Sequence, residues 1–243
     1  GQVPSDEVSF ACPPLLFKVG PRGHLNVLSG QNVLVEQAGL EVLTKEESRI
    51  LQENLVSSSS RLGPNRIGIS GKFWHSREYA AFQQEVVSSG EEVSVGCHFV
   101  FSGTPDAKGV SVSFRLPEKV VEDGILVVSG KEEDRHCLPF VETQADEIIL
   151  SDHLARLVVS FVPKPVWELK MEEGRFFLQA TFFLGDARPS CDFEMKFSRY
   201  SKYRRKSLEE SLAYAKGVSS KRPLESLSIC HELIGLYPDY PEV

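Results

Sequence analysis

At 243 residues and 27.1 kDa, with 41% apolar and 9% aromatic residues, the chain can bury a substantial core, which excludes disorder over most of its length. Its 27 basic against 34 acidic residues give a formal charge of −7, which excludes a surface that grips nucleic acid throughout and leaves only a local patch for that role. The longest apolar runs, at 125–128 and 157–159, fall far short of the ~20 residues of a membrane-spanning helix, so a soluble chain with no membrane partner is expected.

Between Pro14 and Leu43, glycines cut the sequence into four short extended segments: Leu15 to Phe17, Leu25 to Leu28, Asn32 to Val35 and Leu40 to Leu43. That punctuation predicts tight hairpins. Thr44-Lys45-Glu46-Glu47 fits a capping box, and Ile50, Leu51 and Leu55 give an apolar stripe, so a helix is expected that ends in the serines at 57–60. Tyr79, Phe82 and Val86 recur at helical spacing and predict a second helix over 76–87.

Beyond Gly90 the period changes to two. Val93, Val95, Cys97, Phe99 and Phe101 alternate with Ser94, Gly96 and His98, the pattern of a half-buried strand. Similar alternation returns in Val110 to Leu116, in Trp167, Leu169 and Met171, and in Phe193, Met195 and Phe197, with further apolar strands between them. The expected fold class is mainly β (α+β): an antiparallel β-sandwich or flattened barrel, with two helices in the N-terminal part and a C-terminal helical pair. Val95, Phe99, Val112, Phe114 and Phe182 are predicted to be buried. The helices that would alternate with strands in a doubly wound nucleotide-binding sheet are missing. Three regions follow: 1–90 with mixed hairpins and two helices packed on the sandwich, 91–198 as the sandwich, and 199–243 as a basic linker and helical pair.

That last region carries 8 basic and 6 acidic residues, a net +2 that leaves −9 for the rest of the chain. Ser207-Leu208-Glu209-Glu210 opens a helix that should stop at Gly217, and Pro223 suits the first turn of another running toward Gly235. Leu224-Glu225-Ser226-Leu227, Cys230, Leu233-Ile234 and Leu236-Tyr237-Pro238-Asp239 resemble the second helix of a tetratricopeptide repeat and its terminating proline. The resemblance covers 207–243, and Ala213, Tyr214 and Gly217 depart from the usual register. It implies protein-protein binding, and a single unit would have to pack on another surface to bury its face.

Five widely spaced cysteines and the lack of any Asn-x-Ser/Thr acceptor favour a reducing intracellular, cytoplasmic setting. Gly63 to Ser70 has the outline of a phosphate loop, but Ile69 stands where the lysine must be, and Gly235 replaces the second histidine of a zinc-protease pattern begun by His231-Glu232. Cys97-His98 and His136-Cys137 point their neighbours to opposite strand faces, so a buried Cys beside a surface His is expected rather than a metal site. Glu168-x-Lys170 and Glu194-x-Lys196, with Asp146 and Asp152, have nuclease-like spacing, yet alternation makes them ordinary solvent faces. No catalytic residue, metal ligand or cofactor is assigned.

The most suggestive stretch is Arg199, Tyr200, Lys202, Tyr203, Arg204, Arg205 and Lys206, whose cations could contact phosphates while the tyrosines stack on bases, or could form a solvated linker to a protein partner. The leading expectation is a non-enzymatic module for protein-protein interaction in an assembly. The alternative is a nucleic-acid-associated protein using 199–206, with metal-dependent nuclease activity attached to it. A third class, carbohydrate binding, is compatible with the sandwich and with aromatics such as Trp74.

Overall fold

The computed structural model describes residues 7–46, 49–51, 55–75, 77–102, 107–122, 124–130, 132–136, 139–151, 156–185, 190–199 and 208–236. In chain order the strands are β1 (Val8–Cys12), β2 (Leu15–Val19), β3 (Leu25–Ser29), β4 (Asn32–Thr44), β5 (Arg49–Leu51), β6 (Leu55–Gly63), β7 (Arg66–His75), β8 (Arg77–Ser88), β9 (Glu92–Phe101) and β10 (Ala107–Leu116). After the single helical turn α1 (Glu118–Val121) come β11 (Ile125–Ser129), β12 (Glu132–His136), β13 (Phe140–Glu142), β14 (Glu147–Ser151), β15 (Arg156–Val162), β16 (Val166–Glu172), β17 (Arg175–Phe183) and β18 (Ser190–Arg199). Two helices follow, α2 (Leu208–Val218) and α3 (Pro223–Leu236).

The strands form two antiparallel sheets. The first runs β1-β2-β3-β4-β10-β17-β16-β13, with β5 also on β4, and the second runs β12-β11-β14-β15-β18-β9-β8-β7-β6. One buried cluster spans the inner faces of both, so the architecture is a sandwich of the expected class. Val95, Phe99, Val112, Phe114 and Phe182 all lie in that core. The rings of Phe73, Phe82, Phe99 and Phe193 pack in sequence across β7, β8, β9 and β18 and fill the second sheet's inner side.

Both helices expected in the N-terminal part are strands. Thr44 is the buried last residue of β4 rather than a helix cap, and the stripe and serine run behind it fall in β5 and β6, the latter paired with β7 along its length. The segment read as a helix over 76–87 is β8, paired with β7 on one side and β9 on the other. Its inward positions are Ala80, Phe82, Gln84, Val86 and Ser88. Two polar residues on that buried face disguise a period of two, while Tyr79, Phe82 and Val86 imitate a helical stripe, and ladders on both sides override the local spacing. The two segments expected at 32–35 and 40–43 form one strand, β4, with Gln37 at φ 46° and a register shift against β3. Strand β1, which pairs with β2, is not among the elements expected from sequence.

The C-terminal helical pair is present. Leu212, Ala215, Ile229 and Leu233 meet between α2 and α3, and Ser226 Oγ donates to the Ala215 carbonyl at 2.8 Å. The pair lies on the outer face of the second sheet, where Leu224, Glu225 and Ser228 face Arg135, Ser151 and Arg156 across a small cleft. Ile149 and Val158 are opposed across β14 and β15 and are buried, yet neither belongs to the sandwich core. They point outward, on the face where α3 lies across a cleft from Ser151 and Arg156.

Candidate functional site

The other end of that outer face is open. Alternation along β7, β8, β9 and β18 sends Phe73, Phe82, Phe99 and Phe193 inward and therefore sends Ser70, Gln83, His98 and Asp192 outward. Register places these four side by side: Ser70 opposite Gln83, Gln83 opposite His98, and His98 opposite Asp192. The next outward row reads Gly68, Glu85, Gly96, Glu194 and Val162. Together the two rows line a groove of about 870 Å³.

The two glycines shape it differently. A Cβ at Gly96 would meet nothing within 4 Å, so Gly96 leaves an open floor between Glu85 and Glu194. At Gly68 the Leu62 side chain already lies 3.1 Å from that position and forms an apolar wall from the edge strand β6. His98 Nδ1 and Asp192 Oδ1 are in direct hydrogen-bond contact, the arrangement that fixes an imidazole's orientation and leaves Nε2 for another partner. Glu194 is a diagonal neighbour of His98 across Gly96, a Cα separation of roughly 7–8 Å. Lys196 stands 3.6 Å from Glu194, and Arg66 holds Glu85 at 2.8 Å. Among the described lining residues there are three carboxylates and one histidine but no lysine or arginine.

The side chains singled out from sequence are distributed otherwise. Arg199 ends β18 on its inward face, 8% exposed, with its guanidinium donating to the Pro13 carbonyl. Tyr200, Lys202, Tyr203, Arg204, Arg205 and Lys206 lie outside the described residues. Cys97 is buried beside an exposed His98, as expected from alternation, and burial pushes its thiol pKa far up, so it is held as a neutral thiol. Cys137 and Asp152 lie outside the described residues, as does the Trp74 side chain. Glu168 and Lys170 are on β16 in the first sheet, whereas Glu194 and Lys196 are on β18 in the second, so the two nuclease-like pairs do not converge. Asp146 accepts from Lys164 and from the Gly130 N–H. Among the described residues no group of three or more His, Cys, Asp or Glu is placed to hold a metal, and no helix is long and apolar enough to cross a membrane.

His98, Asp192 and Glu194 are each visible in the alternation, as the polar partners of apolar positions. What local sequence lacks is the register that sets β18 beside β9.

No family model matches the sequence, and no curated protein matches it. Solved structures do. A galactose mutarotase-like protein from Lactobacillus casei aligns over 80% of this chain and 100% of its own, with a TM-score of 0.56 and 7% identity. The chain shares this β-sandwich fold. A protein of Escherichia coli K12, named for a proposed aldose 1-epimerase activity, aligns over 80% of this chain and 99% of its own at TM-score 0.52 and 8% identity. An alpha-mannosidase from Enterococcus faecalis aligns over 94% of this chain at TM-score 0.58 and 11% identity, and the chain spans about a third of that enzyme's length, 32%. These likenesses overturn the reading of the chain as a non-enzymatic protein-interaction scaffold. The sandwich is more than bare support, since its outer face holds a groove lined by His98, Asp192 and Glu194. The tetratricopeptide resemblance of the helical pair finds no support among these structures either.

Proposed function

We propose that the groove binds a sugar ring and moves protons at its anomeric centre, interconverting the anomers of a neutral aldose. The observation that carries this is the His98–Asp192 pair standing diagonally across the Gly96 floor from Glu194. A cyclic aldose opens when its anomeric hydroxyl loses a proton while its ring oxygen gains one. The C1–ring-oxygen bond then breaks with its electron pair going to the ring oxygen, and the anomeric oxygen becomes a carbonyl. Glu194 takes the first proton, and His98, oriented by Asp192, gives the second. Rotation about C1–C2 and closure on the other face returns both protons and yields the opposite anomer. Gly96 lets the ring approach the sheet, and Leu62 offers it an apolar wall. Each lining carboxylate is matched by a partner, Asp192 by His98, Glu194 by Lys196 and Glu85 by Arg66, so no spare cation is offered to a uronic acid or sugar phosphate and neutral sugars are the favoured class.

The test is polarimetry on freshly dissolved α-D-glucose and α-D-galactose near neutral pH. The protein is expected to speed the approach to anomeric equilibrium beyond the buffer rate. His98→Asn and Glu194→Gln should each lower that acceleration by about 100-fold, the lower end of what a positioned acid or base contributes. Sugar binding without acceleration would remove the acid–base reading, and absence of both would remove the site.

A further inference from the structure

The groove on the outer face of the second sheet is longer than one sugar ring needs. Its acid–base groups stand toward one end, on β9 and β18, whereas its lining continues over β8 and β7 to Ser60 and Leu62 on β6. From β9 to β6 is a distance of three strand spacings of ~4.8 Å, or about 14 Å. The oxygens at C1 and C4 of a pyranose lie little more than one such spacing apart, so a ring reacting over Gly96 leaves β7 and β6 uncovered. At about 870 Å³ the groove also falls among the pockets of ~300–1,000 Å³ that enclose ligands much larger than a monosaccharide.

The far part of the groove has the chemistry of a second ring's site. Gln83, outward on β8 between Ser70 and His98, is exposed, and its side-chain amide makes no hydrogen bond among the described residues. That amide offers a donor and an acceptor to sugar hydroxyls. Leu62 on β6 and Val87 on β8, 55% and 37% exposed, border the same part and keep aliphatic surface in water. A pyranose has apolar C–H faces and a rim of hydroxyls, which an uncharged amide and an aliphatic wall match together. We infer that the site takes the reducing end of a neutral disaccharide or longer oligosaccharide, with the reacting ring on Gly96 and the next ring across β8 and β7, between Gln83 and the wall of Leu62 and Val87. This inference rests on the anomer-exchange reading of the same groove. Only a reducing end carries a free anomeric hydroxyl, so glycosidic hydrolysis, which releases a new reducing end as one anomer, is the class of reaction that would supply the substrate. The second ring is held alike before and during ring opening, so it lowers KM and leaves kcat nearly unchanged.

Lactose and maltose, each carrying a second ring on the C4 oxygen of a reducing glucose, test this by polarimetry against glucose started from the same anomer. For at least one of them kcat/KM is expected to exceed that of glucose by about 10-fold or more, with the gain in KM. Gln83→Ala and Val87→Ser, both on the exposed face of β8, should each lower that preference by about threefold or more. Saturation-transfer NMR on the preferred disaccharide should show contacts on both rings. Equal kcat/KM for glucose and both disaccharides, saturation confined to the reducing ring, or a preference that neither variant alters would overturn the extended site and leave the anomer-exchange reading standing. Contacts on both rings without acceleration of any sugar would remove the acid–base reading and keep the two-ring site, and no contact with either ring would remove both.

Discussion

Gly96 is where the groove's chemistry depends on a missing side chain. Its neighbours in the row, Glu85 and Glu194, can face one another only because nothing stands between them, and a Cβ there would find 4 Å of open space. Gly96→Val is therefore expected to fold normally, since the backbone needs no special conformation and a β-branched residue suits a strand. Its isopropyl group would occupy the floor on which the proposed sugar ring would rest. Saturation-transfer NMR should show sugar contacts in the wild type and none in the variant, with thermal midpoints alike. Retained sugar contacts in Gly96→Val would move the binding site off this floor. His98 and Glu194 differ from Gly96 in kind: removing either leaves the space intact and takes away a proton donor or acceptor.

The elements show why some of this is legible in the sequence and some is not. From Val93 to Phe99 and from Cys191 to Phe197, β9 and β18 alternate buried apolar residues with polar residues or glycine, so the period of two by itself sets His98, Asp192 and Glu194 on an outward face. β8 places Gln84 and Ser88 on its buried face, and that break in the pattern turns a central strand into an expected helix. β6 carries a serine run with no apolar alternation, and its strand state comes from pairing with β7, information that local sequence does not hold. The loop leading into β14 shows the same dependence on distant partners. Asp146 accepts from Lys164 and from the Gly130 N–H at 2.6 Å, and the Lys164 hydrogen bond, followed by that of Gly130, holds its carboxyl below the usual 3.8. A folded-state pKa below the unfolded one contributes stability that is present above the unfolded pKa and is lost as pH falls through the folded value. Asp146→Asn is thus expected to be less stable than wild type at pH 7, with the difference shrinking below about pH 4. Denaturant midpoints measured across that range check it, and a difference constant with pH would mean that the charge is not what matters.

At the scale of the whole molecule, one sheet face is divided between two uses. Toward β7, β8 and β9 it is polar and open, while toward β11, β14 and β15 it presents Leu126, Ile149 and Val158 in one row, of which Ile149 and Val158 are buried. The inner sandwich core and the cluster between α2 and α3 share no residue, so the helical pair packs around a small core of its own. Ile149 is buried outside the sandwich core, on the face that α3 meets, and is expected to serve the docking of the helical pair. Replacing it by serine removes apolar contact of about 1.5–3 kcal/mol from that docking alone. Ile149→Ser is expected to raise amide exchange across 208–236 toward that of local opening while leaving protection in β8, β9 and β18 unchanged. Val158→Ser should act in the same direction, because the two residues are paired across neighbouring strands. Protection lost equally from the central strands would place Ile149 in the cooperative core. Unchanged exchange in the helices would show that something other than this row holds them.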